Sequence, residues 1–354
     1  MNVESMLTPA LRGLAGVAGV VQVVITLSAA VRSFVLPRNE SVRLNNHIFA
    51  GIRFIFDFAA SRANTYAKRD RIMAHYAPVA LVTLPIVWLT LVCLGYTGIY
   101  WAIGVGSWKK CYELSGSSLL TLGTTSDNDL IINVLNYSEA TLGLLLLTLL
   151  LSYLPTLYQA FSRRETTVAR LELRAGSPAT STHLIDWLNA SGSLTDDDAQ
   201  WADWEQWFVE IEESHTSLPI LNFFRSPQPG RSWVMAAGLI LDTANLMFSA
   251  LDTPRTRQME LTFKAGSLSV NRVYRFFDLK AGTNPAAELP GPEPDTEPEH
   301  PEFAQALDAL AALGLPVGPD REASWTQFRE RRTRYASALK FLAELTMSPE
   351  TRSL

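Results

Sequence analysis

Three windows of this chain are apolar and long enough to leave water altogether. Gly13 to Val31, Ala77 to Gly104 and Ala140 to Ser162 contain no Asp, Glu, Lys or Arg. A bilayer core takes ~20 apolar residues of helix, and each window supplies about that length. Pro78 and Pro85 fall near the start of the second window, where a membrane helix tolerates them. The third window runs through "LGLLLLTLLLSYLP". The first ends on small residues, "LSAAVRS", as a secretory signal would. Its apolar stretch exceeds the ~7–15 residues of a signal core and no Lys or Arg precedes Arg12, so a retained span is expected.

Lys and Arg bias sets the sides. Arg38, Arg43, Arg53, Arg62, Lys68, Arg69 and Arg71 follow the first window, and Arg163, Arg164, Arg170 and Arg174 follow the third. Both segments are therefore expected in the cytoplasm. The N-terminus and the 105–135 connection are expected outside, despite Lys109 and Lys110. This describes a multi-pass protein of the cell membrane with a cytoplasmic C-terminal part. The segment 47–63 is apolar but interrupted by Arg53 and Asp57. It is either an amphipathic helix on the membrane surface or a helix buried against the cytoplasmic part.

Between the second and third windows the chain turns polar. "WKKCYELSGSSLL" suits a short helix, "TLGTT" an extended piece, and "SDND" a polar exit at the outer surface. Non-helical backbone at membrane depth is permitted only where protein or a water-filled cavity satisfies it. This order of helix, small-residue loop and acidic exit resembles the pore loop of the potassium-channel superfamily, over about residues 77–162. Thr121-Leu122-Gly123 matches the start of that family's Thr-Val-Gly-Tyr-Gly filter, with Leu for Val. Thr124 and Thr125 stand where the family has Tyr and Gly.

The resemblance implies an ion path through residues 121–125. Backbone carbonyls and Thr hydroxyls would replace the hydration shell of a monovalent cation, K+ or Na+. One loop per chain cannot surround an ion, so the chain's own copies are the implied partners, as a homotetramer. Asp127 and Asp129 would ring the outer mouth and concentrate cations. The Thr-for-Gly departure implies a wider mouth and weaker potassium selectivity. In the third window Gly143 and Pro155 are candidates for a hinge and gate. Alternatively, Gly143 permits close packing and Pro155 marks membrane exit. Glu139 is placed to brace the short helix or to snorkel. No span carries Arg or Lys at every third position, so no voltage sensor is expected.

Beyond residue 162 the pattern is helical. Segment 161–176 continues the third span, and Ser181 or Thr182 caps the next helix. Thr195 and Asp196 to Asp198 open another, with Trp201, Trp204, Trp207, Phe208 and Ile211 as a core stripe. In "WVMAAGLILDTANLMFSAL", Asp242 and Asn245 would be costly in lipid, so this is expected as a buried helix of a soluble domain. A helix is expected over 256–278, a Pro/Glu-rich linker over 281–302, and helices around 302–314 and 323–347. Glu212 and His215 share a helix face, but without a second such pair a solvated helix end is the expected reading.

The predicted fold class is thus an all-α membrane protein. It has three transmembrane helices, a re-entrant pore loop between the second and third, and a helical cytoplasmic C-terminal domain. Its predicted segments are 1–36, 37–76, 77–162, 163–280, 281–302 and 303–354. A net charge of −5 offers no footprint for nucleic acid, and two cysteines, Cys93 and Cys111, make no disulfide framework or Cys-rich metal site. No phosphate-binding glycine loop or nucleophile motif is present, so no enzyme and no cofactor is expected. The expected function is a multimeric cation channel. The alternative is a membrane-anchored scaffold or signalling protein whose helical domain binds a cytoplasmic ligand or protein.

Overall fold

The computed structural model of the chain describes residues 3–34, 43–123, 129–192, 194, 198–228, 230–278 and 300–349. The described residues are helical throughout and contain no strand, only an isolated bridge between Leu251 and Val317. The helices are α1 (Val3–Phe34), α2 (Arg43–Ser61), α3 (Tyr66–Ala74), α4 (Tyr76–Ala102), α5 (Trp108–Leu119), α6 (Leu130–Ala175), α7 (Ser181–Ala190), α8 (Asp198–Ser217), α9 (Trp233–Ala250), α10 (Arg257–Phe277), α11 (His300–Ala312), α12 (Arg321–Arg332) and α13 (Ala336–Thr346). Four stretches are long and apolar enough to cross a bilayer: Pro9–Ser33, Tyr66–Ala102, Leu130–Ala175 and Trp233–Ala250. They fit a membrane-embedded protein. The chain divides into two compact units, residues 1–62 with 75–158, and residues 63–74 with 159–354.

In the first unit α1 and α4 meet through small residues. A Cβ on Gly19 would sit 2.3 Å from the Gly95 carbonyl oxygen, and one on Gly98 would sit 2.9 Å from that of Ala15. Helices in an apolar solvent gain nothing from hydrophobicity alone, so they associate by backbone approach and polar contacts. Gln22 supplies one, donating to the Leu91 carbonyl at 2.8 Å. The opposite face of α1, with Leu14, Val17, Val21 and Val24, is exposed apolar surface.

The 47–63 segment lies in α2 up to Ser61, and α2 packs within the first unit. Asn45 donates to Ser33 of α1 and accepts from the Trp88 indole of α4. Arg53 and Asp57 pair with each other at 2.8 Å, so the two interrupting charges neutralise across one turn. Phe54, Ile55 and Phe58 remain exposed. The chain then breaks, and α3 belongs to the second unit, where Asp70 pairs with Arg225 at 3.0 Å.

The second unit has its own core. Trp201, Trp204, Trp207, Phe208 and Ile211 of α8 are all buried in it, as their helical spacing predicts. Helix α9 is enclosed by protein along its length. Its Asp242 accepts from the Tyr335 hydroxyl at 2.6 Å and lies 3.3 Å from Arg332, and Asn245 donates to the Phe328 carbonyl at 2.9 Å.

Three local expectations are corrected. The helix expected over 323–347 is two, because Tyr335 leaves helical geometry at φ −142 while its hydroxyl binds Asp242. The cap of α7 is Thr180, not Ser181 or Thr182; its side chain accepts from the His183 N–H. The Glu212–His215 helix end is not a solvated surface. Glu212 pairs with Arg272, whereas His215 is fully buried against Trp233, ring centroids 4.6 Å apart. The proposed caps Thr195 to Asp197 lie outside the described residues, as does most of the 281–302 segment.

The neighbours of His215 define its protonation state. Arg164 Nη1 lies 3.3 Å from Nε2, and a guanidinium can only donate. Nε2 is therefore the acceptor, and Nδ1–H donates to the Ile211 carbonyl at 3.0 Å. Burial, then the Arg164 charge, hold the imidazole pKa well below its ordinary value. Below about pH 6.5 the unfolded chain takes up a proton that the folded imidazole refuses, so stability is lost as pH falls, by up to about 1.4 kcal/mol per pH unit.

Two predictions follow from this packing. Gly98→Leu should lower the stability of the first unit by about 1–3 kcal/mol through overpacking. Gly13→Leu, where an added Cβ meets nothing within 4 Å, should be silent in the same thermal melts. Melts of the full-length protein from about pH 8 to about pH 5 should show the His215 loss, and His215→Gln should flatten it. An unchanged slope in His215→Gln would refute a neutral buried imidazole.

Candidate functional site

The polar break between α4 and α6 is built by local rules. Ser107 caps α5, its hydroxyl accepting from the Lys110 N–H at 3.4 Å. Trp101 and Trp108 pack edge to face across the preceding turn, centroids 5.7 Å apart. At the other end α5 closes on itself. The Thr121 N–H donates to the Ser118 carbonyl at 3.1 Å and the Leu122 N–H to the Ser117 carbonyl at 2.9 Å. This is a Schellman closure, and Thr121 occupies its left-handed position at φ 54. Glycine usually fills that position, and a β-branched residue there is strained.

Residues 121–123 are therefore not the extended start of "TLGTT" that the sequence suggests. Both Thr121 and Gly123, at φ 97, have left-handed backbone. The physical reason is the helix end. The last carbonyls of α5 need donors, and folding the chain back supplies them. Thr121, Leu122 and Gly123 are exposed, Leu122 at 76%. The Ser117 hydroxyl donates to the Gly123 carbonyl at 2.8 Å and steadies the turn. Thr124, Thr125 and Asp127 lie outside the described residues. Asp129 has a local role, capping α6 by accepting from the Ile131 N–H at 2.8 Å.

Behind the turn lies a buried polar cluster. Glu139 of α6 has no exposed surface. Ser115 of α5 donates to its Oε1, and Tyr100 of α4 lies 3.0 Å from its Oε2. The Tyr100 hydroxyl is also 2.7 Å from Asn136 Oδ1, to which Ser118 donates at 3.3 Å. Of the two roles expected for Glu139, bracing is the one it fills.

Gly143 sits one turn beyond Glu139, where a Cβ would come 2.2 Å from the Leu119 carbonyl oxygen. Its geometry is that of close packing against the end of α5. Pro155 lies inside α6, which is continuous from Leu130 to Ala175, and leaves the Leu151 carbonyl without its helical donor.

Sequence reasoning missed Tyr100, Ser115 and Asn136. A signal existed. Asn136, Glu139 and Gly143 recur at spacings of three and four, one stripe of α6, and Ser115 and Ser118 share a face of α5. Two features give this arrangement its chemistry. The C-terminal end of α5 carries the negative end of the helix dipole, and it is held still by buried hydrogen bonds. Beside it stand the exposed residues Thr121, Leu122 and Gly123.

The chain matches no protein-family model, and no curated protein or solved structure shows significant similarity to it.

Removal of the Glu139 carboxyl should loosen α5. Glu139→Ala removes the acceptor that ties Ser115 and Tyr100 to α6, leaving Ser115 only the Cys93 carbonyl and Tyr100 only Asn136, at a cost of about 1–3 kcal/mol. Glu139→Gln keeps shape and one acceptor and should lose less than half of that. The order of the two melting temperatures, measured in detergent, tests the bracing role.

Proposed function

We propose that several copies of this chain assemble, as a homotetramer, into a cation channel of the cell membrane related in design to the potassium-channel superfamily. In this reading each chain crosses the bilayer three times, at Pro9–Ser33, along α4 and along the first part of α6. Residues 108–129 form a re-entrant loop between the second and third spans. The N-terminus is outside, and the second unit is cytoplasmic with α9 as its core helix. K+ or Na+ is the permeant ion, and residues 121–125 of each copy line its path. The chain is read as neither an enzyme nor a nucleic-acid binder.

The observation that carries this reading is the braced end of α5. A short helix lies between two membrane-length helices, anchored through Ser115 to Glu139, and the negative end of its dipole is followed by the exposed residues Leu120 to Gly123. An isolated loop would have no need of a fully buried carboxyl to hold it. A second feature supports assembly. Leu144, Leu147, Leu151, Leu154 and Tyr158 are exposed at alternating spacings of three and four, the seam along which helices of neighbouring copies cross.

Purified protein in planar bilayers should pass monovalent cations, and Gly123→Asp, which places a charged side chain on the path, should abolish or change the selectivity of that current. Cross-linking in detergent should give a ladder ending at four chains. Absence of current across voltage and pH, with a monomeric protein and residues 115–129 open to water-soluble labels, would sink the channel and favour the membrane-anchored scaffold.

A further inference from the structure

Far along the chain from the loop, within the second unit, α10 and the ends of α9 and α12 line an open cavity of about 490 Å³. Its wall carries four cations, Arg255, Lys264, Arg331 and Arg334, against one carboxylate, Glu260. Charges of one sign repel, and a fold gathers them around one space at a cost unless something of the opposite sign enters. Arg331 shows that cost. Burial, then Arg255 and Arg334, lower its pKa from the ordinary guanidinium value. Arg331 and Arg255 both lie against the Phe248 ring, at 5.5 and 5.8 Å from its centre, and Arg255 donates to the Phe248 carbonyl at 2.9 Å. The two guanidiniums are thus fixed to one platform.

Three polar atoms on this wall are buried and have no hydrogen-bond partner among the described residues: Arg331 Nη1, Ser267 Oγ and Asn271 Oδ1. Ser267 is more than nine-tenths buried. The Asn271 amide is oriented by its own contacts, since Nδ2 donates at 2.6 Å to the carbonyls of both Ser267 and Arg334. Its Oδ1 is left as an acceptor. A buried donor, a hydroxyl and an acceptor without partners are groups that a ligand satisfies. The volume lies in the range of small-molecule sites and leaves room for more than a bare inorganic anion.

We propose that this cavity binds a small organic phosphate, its phosphate gripped by Arg255, Arg331 and Arg334 and its organic part laid against Phe248 and hydrogen-bonded by Ser267 and Asn271. Guanidinium forks match phosphate oxygens in pairs, a geometry that Arg255, Arg331 and Arg334 can offer and a lysine cannot. Lys264, on the exposed rim, adds charge without that geometry. A phosphomonoester of this kind comes either from a soluble metabolite or from a lipid headgroup, and the two sources differ experimentally. The site is independent of the ion path and stands whether or not the chain conducts.

The test uses full-length protein in detergent, titrated calorimetrically with AMP, ATP, glycerol 3-phosphate and inorganic phosphate. A parallel flotation assay uses phosphatidylcholine vesicles with and without phosphatidic acid. Saturable binding of an organic phosphate, weakened at least tenfold in Arg331→Gln and by rising salt, is expected; inorganic phosphate alone should bind more weakly. Binding restricted to the soluble probes identifies a metabolite. Binding restricted to phosphatidic acid vesicles identifies a headgroup. Because Arg331 packs on Phe248, the exposed pair Arg334→Gln and Lys264→Gln serves as a second variant, with an unchanged melt in the absence of ligand and a loss of binding expected. No binding by any probe, binding unchanged in both variants, or inorganic phosphate equal to the organic probes would overturn the proposal.

Discussion

A carboxyl group with no exposed surface and apolar helices around it has to be met by hydrogen-bond donors, or its burial costs more than the packing around it returns. Glu139 meets that condition with hydroxyls from two other helices, Ser115 on α5 and Tyr100 on α4. Satisfying one side chain therefore sets three helices in register. Asn136 and Gly143 extend the same stripe of α6, one accepting from Tyr100, the other admitting the Leu119 carbonyl. Without this face α5 would be a helix of 12 residues with little to hold it, near the length at which isolated helices are marginal in water. The turn that follows α5 inherits its position from the same bonds.

The second unit solves a related problem with charge. Helix α9 carries Asp242 into the core, where Tyr335 and Arg332 meet it. One consequence is topological. Tyr335 reaches Asp242 only by leaving helical geometry, and the break between α12 and α13 falls there. Arg164 plays a similar part where α6 enters this unit. Fully buried, it donates to the carbonyls of Leu221 and Phe224 and faces His215. Both clusters hold charge inside because the charged groups are met, Asp242 by Tyr335 and Arg332, Arg164 by Glu165 and two carbonyls, the condition under which burial of charge is tolerated.

Much of the fold was legible because apolar length and helical period are local properties. The charge-free windows, the aromatic stripe of α8 and the unsuitability of Asp242 for lipid need no partner to be read. The turn at Thr121 was not legible. Propensity argues against threonine in left-handed backbone, and only the demand of the α5 carbonyls for donors overrides it. His215 was misread for a matching reason. Its sequence neighbours Glu212, Glu213 and Ser214 are polar, and the groups that bury it, Trp233 and Arg164, lie far away in sequence. The glycines at 16, 19, 95 and 98 were visible as small residues, but that Gly19 faces Gly95, Gly16 faces Ala102 and Gly98 faces Ala15 was not.

The sequence alone determined that this chain is helical, that several of its helices belong to an apolar phase, and that its later half folds as a helical body with aromatic packing. Each follows from composition and spacing, which act within a single segment. Tertiary structure alone decided that Glu139 braces rather than snorkels, that residues 121–123 close a helix instead of extending, and that four cations from α10 and the ends of α9 and α12 share one cavity. Those outcomes depend on which distant groups arrive at the same place, and a hydrogen bond or a repulsion exists only once both partners are there.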